Sequence, residues 1–284
     1  MKSAARVSAL ALLLLCTAAS GATHTAKESE SRSFDLVAAT GRPLLIVDNV
    51  NGSIVVEAGG AGRVEVEIVK TFEAKSAEAL DRIRREAKLT VEQEPGRLTL
   101  VQDGPFRCDR AENRRRCEQE ADRRDDEVTF DWKLTVPREL DLDVRDVNGE
   151  RIEVHGVAGR VEVEHVNGAV TLTGLEGPTR ATTVNGDLAA SFAASPTGDL
   201  RFTTVNDELD LAFPADFGAE LSAHTLNGEV LTDFPFETLA PQPAARRDGD
   251  GHYRLEGSTT RIGRGGARLE CDTVNGDILI RVRR

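Results

Sequence analysis

A short phrase, an apolar residue followed by Asn and in most copies Gly, recurs along the chain and constrains its fold more than any other feature. From Asn148 to Asn227 successive copies lie 19, 18, 21 and 21 residues apart. A near-constant period of about 20 residues indicates a repeat architecture, in which one supersecondary unit stacks on copies of itself. The asparagines of the seven copies are Asn51, Asn148, Asn167, Asn185, Asn206, Asn227 and Asn275.

Two structures fit an Asn-Gly pair between alternating strands. One is a two-residue β-hairpin, because both residues tolerate positive φ. A flat hairpin around Asn167 and Gly168 would, however, put Val166 on the polar face beside Glu162 and Glu164. The residue before Asn is apolar in every copy, so we interpret it as facing an interior while the chain turns a corner at each Asn. This interpretation favours a β-solenoid over a meander of hairpins.

The predicted fold class is therefore all-β: a right-handed β-solenoid, a β-helix-like stack of short strands, with one short helix in its N-terminal part. A coil of about 20 residues at ~3.3 Å per residue holds two or three short strands, and coils stack ~4.8 Å apart. Equivalent asparagines would lie above one another and hydrogen-bond along the stack. The Gly that follows can adopt the left-handed conformation of a bend. We assign all seven asparagines a structural role in these turns.

The N-terminus has the pattern of an export signal. Lys2 and Arg6 precede the apolar run Val7–Leu15, and small residues follow it. That run is too short to span a bilayer, which needs about 20 apolar residues, and no later segment is apolar enough to be an integral membrane segment. We expect an exported protein, periplasmic, on the cell surface or extracellular. A lipid anchor on Cys16 is disfavoured because the bulky Leu15 precedes it.

Composition divides the chain into segments. A helix is predicted over 76–87, because Ser76 is a suitable N-cap and Leu80 and Ile83 recur at helical spacing. Residues 107–127 are almost entirely charged, which is typical of a solvated loop. The predicted segments are a signal peptide (1–22), a flexible leader (23–33), an N-terminal β region (34–127) with the helix (76–87) and the charged inserted loop (107–127), and a repeat region (128–284) with a loop (235–251).

Three cysteines follow the signal. Cys108 and Cys117 enclose eight residues of the charged loop, and export permits a disulfide between them. A redox or metal pair is the alternative, but the spacing is not CxxC and no His lies nearby. We predict a structural disulfide. Cys271 lies in an alternating stretch and is expected to be a small buried hydrophobe.

The sequence offers little catalytic chemistry. The five histidines show no metal-ligand spacing, and His165 and His224 hold non-equivalent positions before their asparagines. We expect no metal site, no cofactor and no enzyme activity. A carbohydrate-active enzyme would need two carboxylates about 5–10 Å apart in a cleft; Asp141 and Asp143 are the candidates, although solvated outward positions explain them more simply. The net charge of −12 argues against nucleic acid as a partner.

Three stretches carry a resemblance to a known family: the repeated VNGxI/L phrase, KLTVPRELDLDVRDVNG at 133–149, and LECDTVNGDILIRV at 269–282. Together with the helix-bearing N-terminal part, they resemble the bacterial DUF4097 family of exported β-strand-repeat proteins, which are described as adhesins. The charged loop and the 235–251 loop depart from it. The resemblance implies a surface-binding role and supplies no catalytic residues.

The predicted function is a non-enzymatic, exported envelope protein that acts as an adhesin-like binding or scaffold module. Its partner would be an unknown envelope protein or a glycan, with self-association through solenoid edges as a further option. An envelope sensor or regulatory partner, with 107–127 as its contact, is the alternative.

Overall fold

A computed structural model of the chain describes residues 23–36, 40–59, 62–104, 106–107, 126–238, 246–247, 253–254 and 259–283. The predicted signal peptide, Cys108, Cys117 and most of the charged loop lie outside the described residues. Most of the 235–251 loop does so too.

The described residues are nearly all β, with one helix. The helix is α1 (Ala77–Glu86), within the range predicted for it. The strands are β1 (His24–Asp35), β2 (Leu44–Asp48), β3 (Ile54–Ala58), β4 (Arg63–Ala74), β5 (Lys88–Glu94), β6 (Arg97–Asp103), β7 (Glu127–Val136), β8 (Asp141–His155), β9 (Val161–Leu175), β10 (Thr179–Thr182), β11 (Leu188–Phe192), β12 (Leu200–Thr203), β13 (Leu209–Phe213), β14 (Ala219–Asn227), β15 (Val230–Thr232), β16 (Phe236–Thr238), β17 (Arg246–Arg247), β18 (Tyr253–Arg254), β19 (Thr259–Ile262), β20 (Ala267–Asn275) and β21 (Ile278–Val282).

Two parallel ladders run through the repeats. The first ladder consists of the segments that precede each Asn, with β6 added at one end. Its strands are hydrogen-bonded in the order β6–β2–β8–β9–β10–β12–β20–β14. The second ladder consists of the segments that follow each Asn, with β7 added at one end. Its strands are hydrogen-bonded in the order β7–β3–β8–β9–β11–β13–β21–β15. Within the described residues, therefore, the two strands on either side of each Asn form their hydrogen bonds with neighbouring repeats and not with each other. The hairpin alternative is not adopted.

The spatial order of the repeats differs from their order in the chain. The last repeat, that of Asn275, lies between the repeats of Asn206 and Asn227, because β20 pairs with both β12 and β14. In the same way β21 lies between β13 and β15. The C-terminal strands thus insert into the stack and leave the Asn227 repeat next to its end, where antiparallel β19 pairs with β14.

The segment 23–33 was predicted to be a flexible leader, and this prediction is wrong. It forms most of β1, which pairs antiparallel with β4 from His24 to Asp35. Ala26 and Phe34 are buried, and the Glu30 carboxylate lies 2.6 Å from the Lys70 ammonium. The polar composition is misleading because β1 packs only part of one face, and its Ser and Glu residues fill the remaining positions.

The helix and the other antiparallel strands complete the N-terminal end of the stack. Ser76 caps α1, because its side-chain oxygen accepts a hydrogen bond from Ala79 N at 3.1 Å. Leu80 and Ile83 are the buried residues of the helix. Strand β4 also pairs with β7, and β5 pairs with β6. None of the described helical residues forms a helix long and apolar enough to cross a membrane.

One buried cluster takes inward side chains from both ladders. The ladders meet where Phe192 on β11 contacts Phe202 on β12 edge to face, with ring centroids 6.4 Å apart. Phe213 stacks between Phe192 at 4.9 Å and Phe217 at 3.9 Å. Cys271 on β20 is fully buried in this core, as predicted.

Candidate functional site

The corner asparagines form a hydrogen-bonded ladder along the outside of the stack. Each side-chain amide nitrogen donates to the side-chain oxygen of the Asn in the preceding repeat of the stack. The five donors and their acceptors are all exposed. The donor–acceptor pairs are Asn167 to Asn148 (2.8 Å), Asn185 to Asn167 (2.7 Å), Asn206 to Asn185 (2.6 Å), Asn275 to Asn206 (3.1 Å) and Asn227 to Asn275 (2.8 Å). Asn51 joins through its backbone, while its side chain donates to Val128 O at 3.3 Å.

The Asn ladder predicts that the loss of stability on replacing an Asn depends on how many side-chain hydrogen bonds that Asn makes. Asn185 takes part in two side-chain bonds of the ladder and Asn227 in one. Asn185→Ala should lower the free energy of unfolding by about 1–2 kcal/mol, and Asn227→Ala by about half as much, because a typical hydrogen bond contributes about 0.5–1.5 kcal/mol. Urea denaturation of the two variants checks this; equal losses would contradict a ladder held by pairwise bonds.

The apolar residue before each Asn was expected to face the interior, and the structure corrects this. Val147, Val166, Val274 and Leu226 are exposed to 41%, 38%, 39% and 76%, and the equivalent valines are half-buried. The interior position belongs to the polar residue one step earlier. The buried residues at that step are Asn49, Asp146, His165, Thr183, Thr204 and Thr273.

Hydrogen bonding to the backbone, and not size, explains the inversion. Valine and threonine have nearly the same shape, and the larger His165 occupies the same inward position. A short hydroxyl fits there and finds an acceptor: Thr183 donates to Gly168 O at 3.2 Å, and Thr225 to Gly276 O at 2.9 Å. The corner therefore turns two successive residues outward, the aliphatic residue and the Asn.

The aliphatic residues consequently form a row of exposed and half-buried side chains, here called the corner ridge. Parallel pairing places them on successive coils, ~4.8 Å apart, beside the Asn ladder. A single exposed valine needs no explanation, but a contiguous apolar row on a highly charged surface is a candidate interaction site. In spatial order the corner ridge is Val50, Val147, Val166, Val184, Val205, Val274 and Leu226.

A groove of about 590 Å³, here called the ridge groove, runs beside one end of the corner ridge. Val50, Val147, Val166 and Val184 lie on one side of it, and Phe106 and Arg107 contribute to the rest of its lining. The Arg107 guanidinium binds both carboxylate oxygens of Asp48, at 2.7 and 3.0 Å, which fixes this wall.

Two titratable side chains lie buried beneath the ridge groove. Asp146 Oδ2 and His165 Nε2 are 3.5 Å apart, and both side chains are fully buried. Burial raises the pKa of Asp146 to about 7 and lowers the pKa of His165. Asp146 Oδ1 accepts a hydrogen bond from Val147 N at 2.9 Å, which ties the carboxylate to a residue of the corner ridge.

The carboxylates considered for glycoside chemistry lie elsewhere, on the outer face of β8. Asp143 pairs with Arg145 at 3.0 Å, and Asp141 Oδ1 accepts a hydrogen bond from Arg160 N at 2.9 Å. Neither residue lines the ridge groove. His165 is buried while His224 is exposed, so the two do not form a site. Among the described residues, no three His, Cys, Asp or Glu side chains are arranged to hold a metal ion.

A second cleft, of about 430 Å³, lies on the same outer face and is rich in arginine. Its charges compensate one another: Arg201 pairs with Glu270 at 3.0 Å, and Arg180 with Glu162 at 3.9 Å. The corner ridge has no such internal partners among the described residues, which makes it the stronger candidate for binding another molecule.

The comparisons with known proteins are consistent with this picture only at a coarse level. No protein-family model and no curated protein matches the sequence, so the resemblance to DUF4097 stays a prediction. One similar solved structure is a protein from Clostridium sporogenes that is provisionally assigned to cell adhesion; its TM-score is 0.44 at 10% identity, and the match covers 90% of this chain and 100% of that one. Another is a provisionally assigned adhesin from Bacteroides fragilis; its TM-score is 0.37 at 9% identity, and the match covers 90% of this chain and 97% of that one. At this similarity neither assigns a fold or a function to this chain.

Sequence reasoning missed both the corner ridge and the buried pair. The signal was present in the residue two before each Asn, which is Thr in four copies and Asn, Asp or His in the other three. A column of small hydrogen-bonding residues is typical of an inward position at which backbone carbonyls need donors. Reading that column as the interior would have placed the valines outside.

Proposed function

We propose that this chain is a non-enzymatic, exported binding module of the cell envelope, adhesin-like in role, built as a β-solenoid. The two parallel ladders and their shared core support the solenoid. The corner ridge is the observation that carries the binding role, because it leaves four aliphatic side chains exposed and three half-buried along the stack.

The chemistry of the corner ridge favours a protein partner over a glycan. Its residues are aliphatic, and Phe106 is the aromatic side chain in the lining of the ridge groove. Sugar rings are usually held by stacking on several aromatic faces, which this surface does not offer. An extended apolar segment of an envelope protein could bury the valines and hydrogen-bond to the exposed asparagine amides beside them.

Self-association through strand edges is the less favoured mode. Strand β5 is KLTVEQE, and its last three residues are exposed and polar. Strand β1 also carries the charged residues Lys27, Glu28, Glu30 and Arg32. Charged side chains on an edge strand discourage pairing with another chain, so contact through the corner ridge is the better-supported mode.

Paired serine substitutions on the corner ridge test the proposal. The variant V147S/V166S should bind intact envelope preparations at least about tenfold more weakly than wild type, because a tenfold loss corresponds to only about 1.4 kcal/mol of lost apolar contact. Flow cytometry or surface plasmon resonance with the purified chain measures the loss. The melting temperature should fall only slightly, since Val147 and Val166 are already exposed to 41% and 38%.

The matched control is Val69→Ser, because Val69 is also 41% exposed but lies on β4, away from the corner ridge. It should bind like wild type. Undiminished binding by V147S/V166S would refute the proposal, and so would polysaccharide turnover that is lost on replacing Asp141 or Asp143. The sensor alternative predicts instead that deleting 108–125 abolishes binding while the corner ridge substitutions do not.

A further inference from the structure

The inward residue of each corner, which lies two positions before the Asn, differs in chemical type from repeat to repeat along the stack. In four repeats a Thr hydroxyl lies within 3.5 Å of a carbonyl of the preceding coil, which fastens one corner to the next. Asp146 and His165 occupy the same position in two adjacent coils, where their Cα atoms are direct partners. Within the described part of the chain, Asp146 Oδ2 and both ring nitrogens of His165 have no hydrogen-bond partner.

This arrangement is costly unless a proton lies between the two side chains. The Asp146 Oδ2 atom, which has no donor among the described residues, and the buried His165 imidazole, which apart from Asp146 only the Ala169 backbone approaches, each lose hydrogen bonds that water supplied. A proton on Asp146 Oδ2 removes the buried charge and provides a donor directed at His165 Nε2, 3.5 Å away. Neutral imidazole can accept it.

We propose that Asp146 and His165 form a proton-binding site beneath the corner ridge, which holds one proton between them and makes the ridge groove responsive to pH. The transmitting contact is the hydrogen bond from Val147 N to Asp146 Oδ1. The effect on partner binding rests on the proposed function, whereas the titration itself does not.

Few charges surround the site. Asp48 on β2 disfavours ionisation of Asp146, and Arg107, which is paired with Asp48, favours it; both effects are smaller than that of burial. Arg145 and Glu164, on the outer faces of β8 and β9, are exposed and 3.9 Å apart. On the remaining sides lie two uncharged residues, Thr183 and Asn49; the Asn49 oxygen accepts from Trp132 Nε1, and its side chain lowers the pKa of Asp146 by hydrogen bonding, an effect that is also smaller than that of burial. Among the described residues around the site, therefore, no isolated cation stabilises the ionised carboxylate.

The two groups affect stability with opposite signs. The folded pKa of Asp146 is about 7, above its ordinary value near 3.8, so the folded state keeps a proton that the unfolded chain releases. Stability from this group therefore falls as pH rises toward 7 and is lost above it. The folded pKa of His165 is lowered, so its contribution is present above about pH 6.5 and is lost as pH falls below that value.

Asp146→Asn separates these effects, because Asn keeps the Oδ1 acceptor and cannot ionise. Its melting temperature should match wild type only at about pH 3, where Asp146 is protonated in the folded and the unfolded chain alike. It should exceed wild type increasingly as pH rises, and the excess should be about 5 °C larger at pH 8 than at pH 5, a modest shift for a chain of this size. In NMR spectra the Asp146 carboxyl carbon should titrate near pH 7. The methyl signals of Val147 and Val166 should shift with the same midpoint, and those of Val69 should not.

His165→Thr is the matched second variant, since it installs the residue that neighbouring coils use and should remove the acid-side loss of stability. Titration of the Asp146 carboxyl below pH 5, or an unchanged pH profile in D146N/H165T, would overturn the proposal. A rise in melting temperature on adding Zn²⁺ to wild type but not to D146N would also overturn it, because the pair would then be a metal site.

Discussion

Replacing Gly186 by alanine is expected to destabilise the protein by about 4 kcal/mol. Gly186 has φ of +141°, and a Cβ there would lie 2.2 Å from Gly168 O in the adjacent coil. Overpacking costs roughly 1–3 kcal/mol and a strained backbone a further 1–3 kcal/mol. The neighbouring coil cannot easily yield, because Gly168 O also accepts the Thr183 hydroxyl at 3.2 Å. Guanidinium denaturation measures the loss.

Gly62→Ala is the control that separates crowding from backbone strain. Gly62 also has positive φ, +75°, but an added Cβ meets no atom within 4 Å among the described residues. It should cost only about 1 kcal/mol, the lower end of the strain term. Equal losses for Gly186→Ala and Gly62→Ala would mean that the corners are not tightly stacked.

Truncating Phe213 to alanine should cost about 3–5 kcal/mol, the range for a large aromatic residue in a core. Phe213 is fully buried and lies between the rings of Phe192 and Phe217. Its strand, β13, pairs with β21, so the cavity would open where the C-terminal strands insert into the stack. Phe192 lies on β11, which pairs with β13, and Phe217 N donates a hydrogen bond to Pro214 O at 3.0 Å; both restraints limit collapse into the space. Calorimetry or chemical denaturation gives the size of the effect.

Phe213→Leu keeps most of the volume and should cost clearly less, about 1–1.5 kcal/mol. A comparable loss from Phe213→Ala would show that the core relaxes around the missing ring. The Phe213→Ala variant should also show faster hydrogen exchange in β21 than in β8, because β21 pairs directly with the damaged strand.

Much of the architecture could be predicted from periodicity. The spacing of the asparagines predicted stacked repeats, and the helix over 76–87 followed from Ser76 and the spacing of Leu80 and Ile83. The prediction for 23–33 failed because composition describes a strand poorly when it pairs with only one of the other described strands, as β1 does with β4. The prediction that the apolar residue of each corner faces the interior is wrong, because hydrogen bonding to backbone carbonyls, and not hydrophobicity, decides which side chain the interior holds.

The repeat phrase by itself determined that the chain is β-rich, that its units stack, and that Asn and Gly occupy the turns. These are local properties: a two-residue alternation makes strands, and Gly permits the bend. Only the tertiary structure decided that the Asn275 repeat inserts between those of Asn206 and Asn227, since pairing between distant strands leaves no local signal. It also decided that threonine lies inside and valine outside. The reason is physical: the backbone carbonyls of stacked repeats need hydrogen-bond donors, which a threonine hydroxyl supplies and the similarly shaped valine cannot, so the valine remains on the surface.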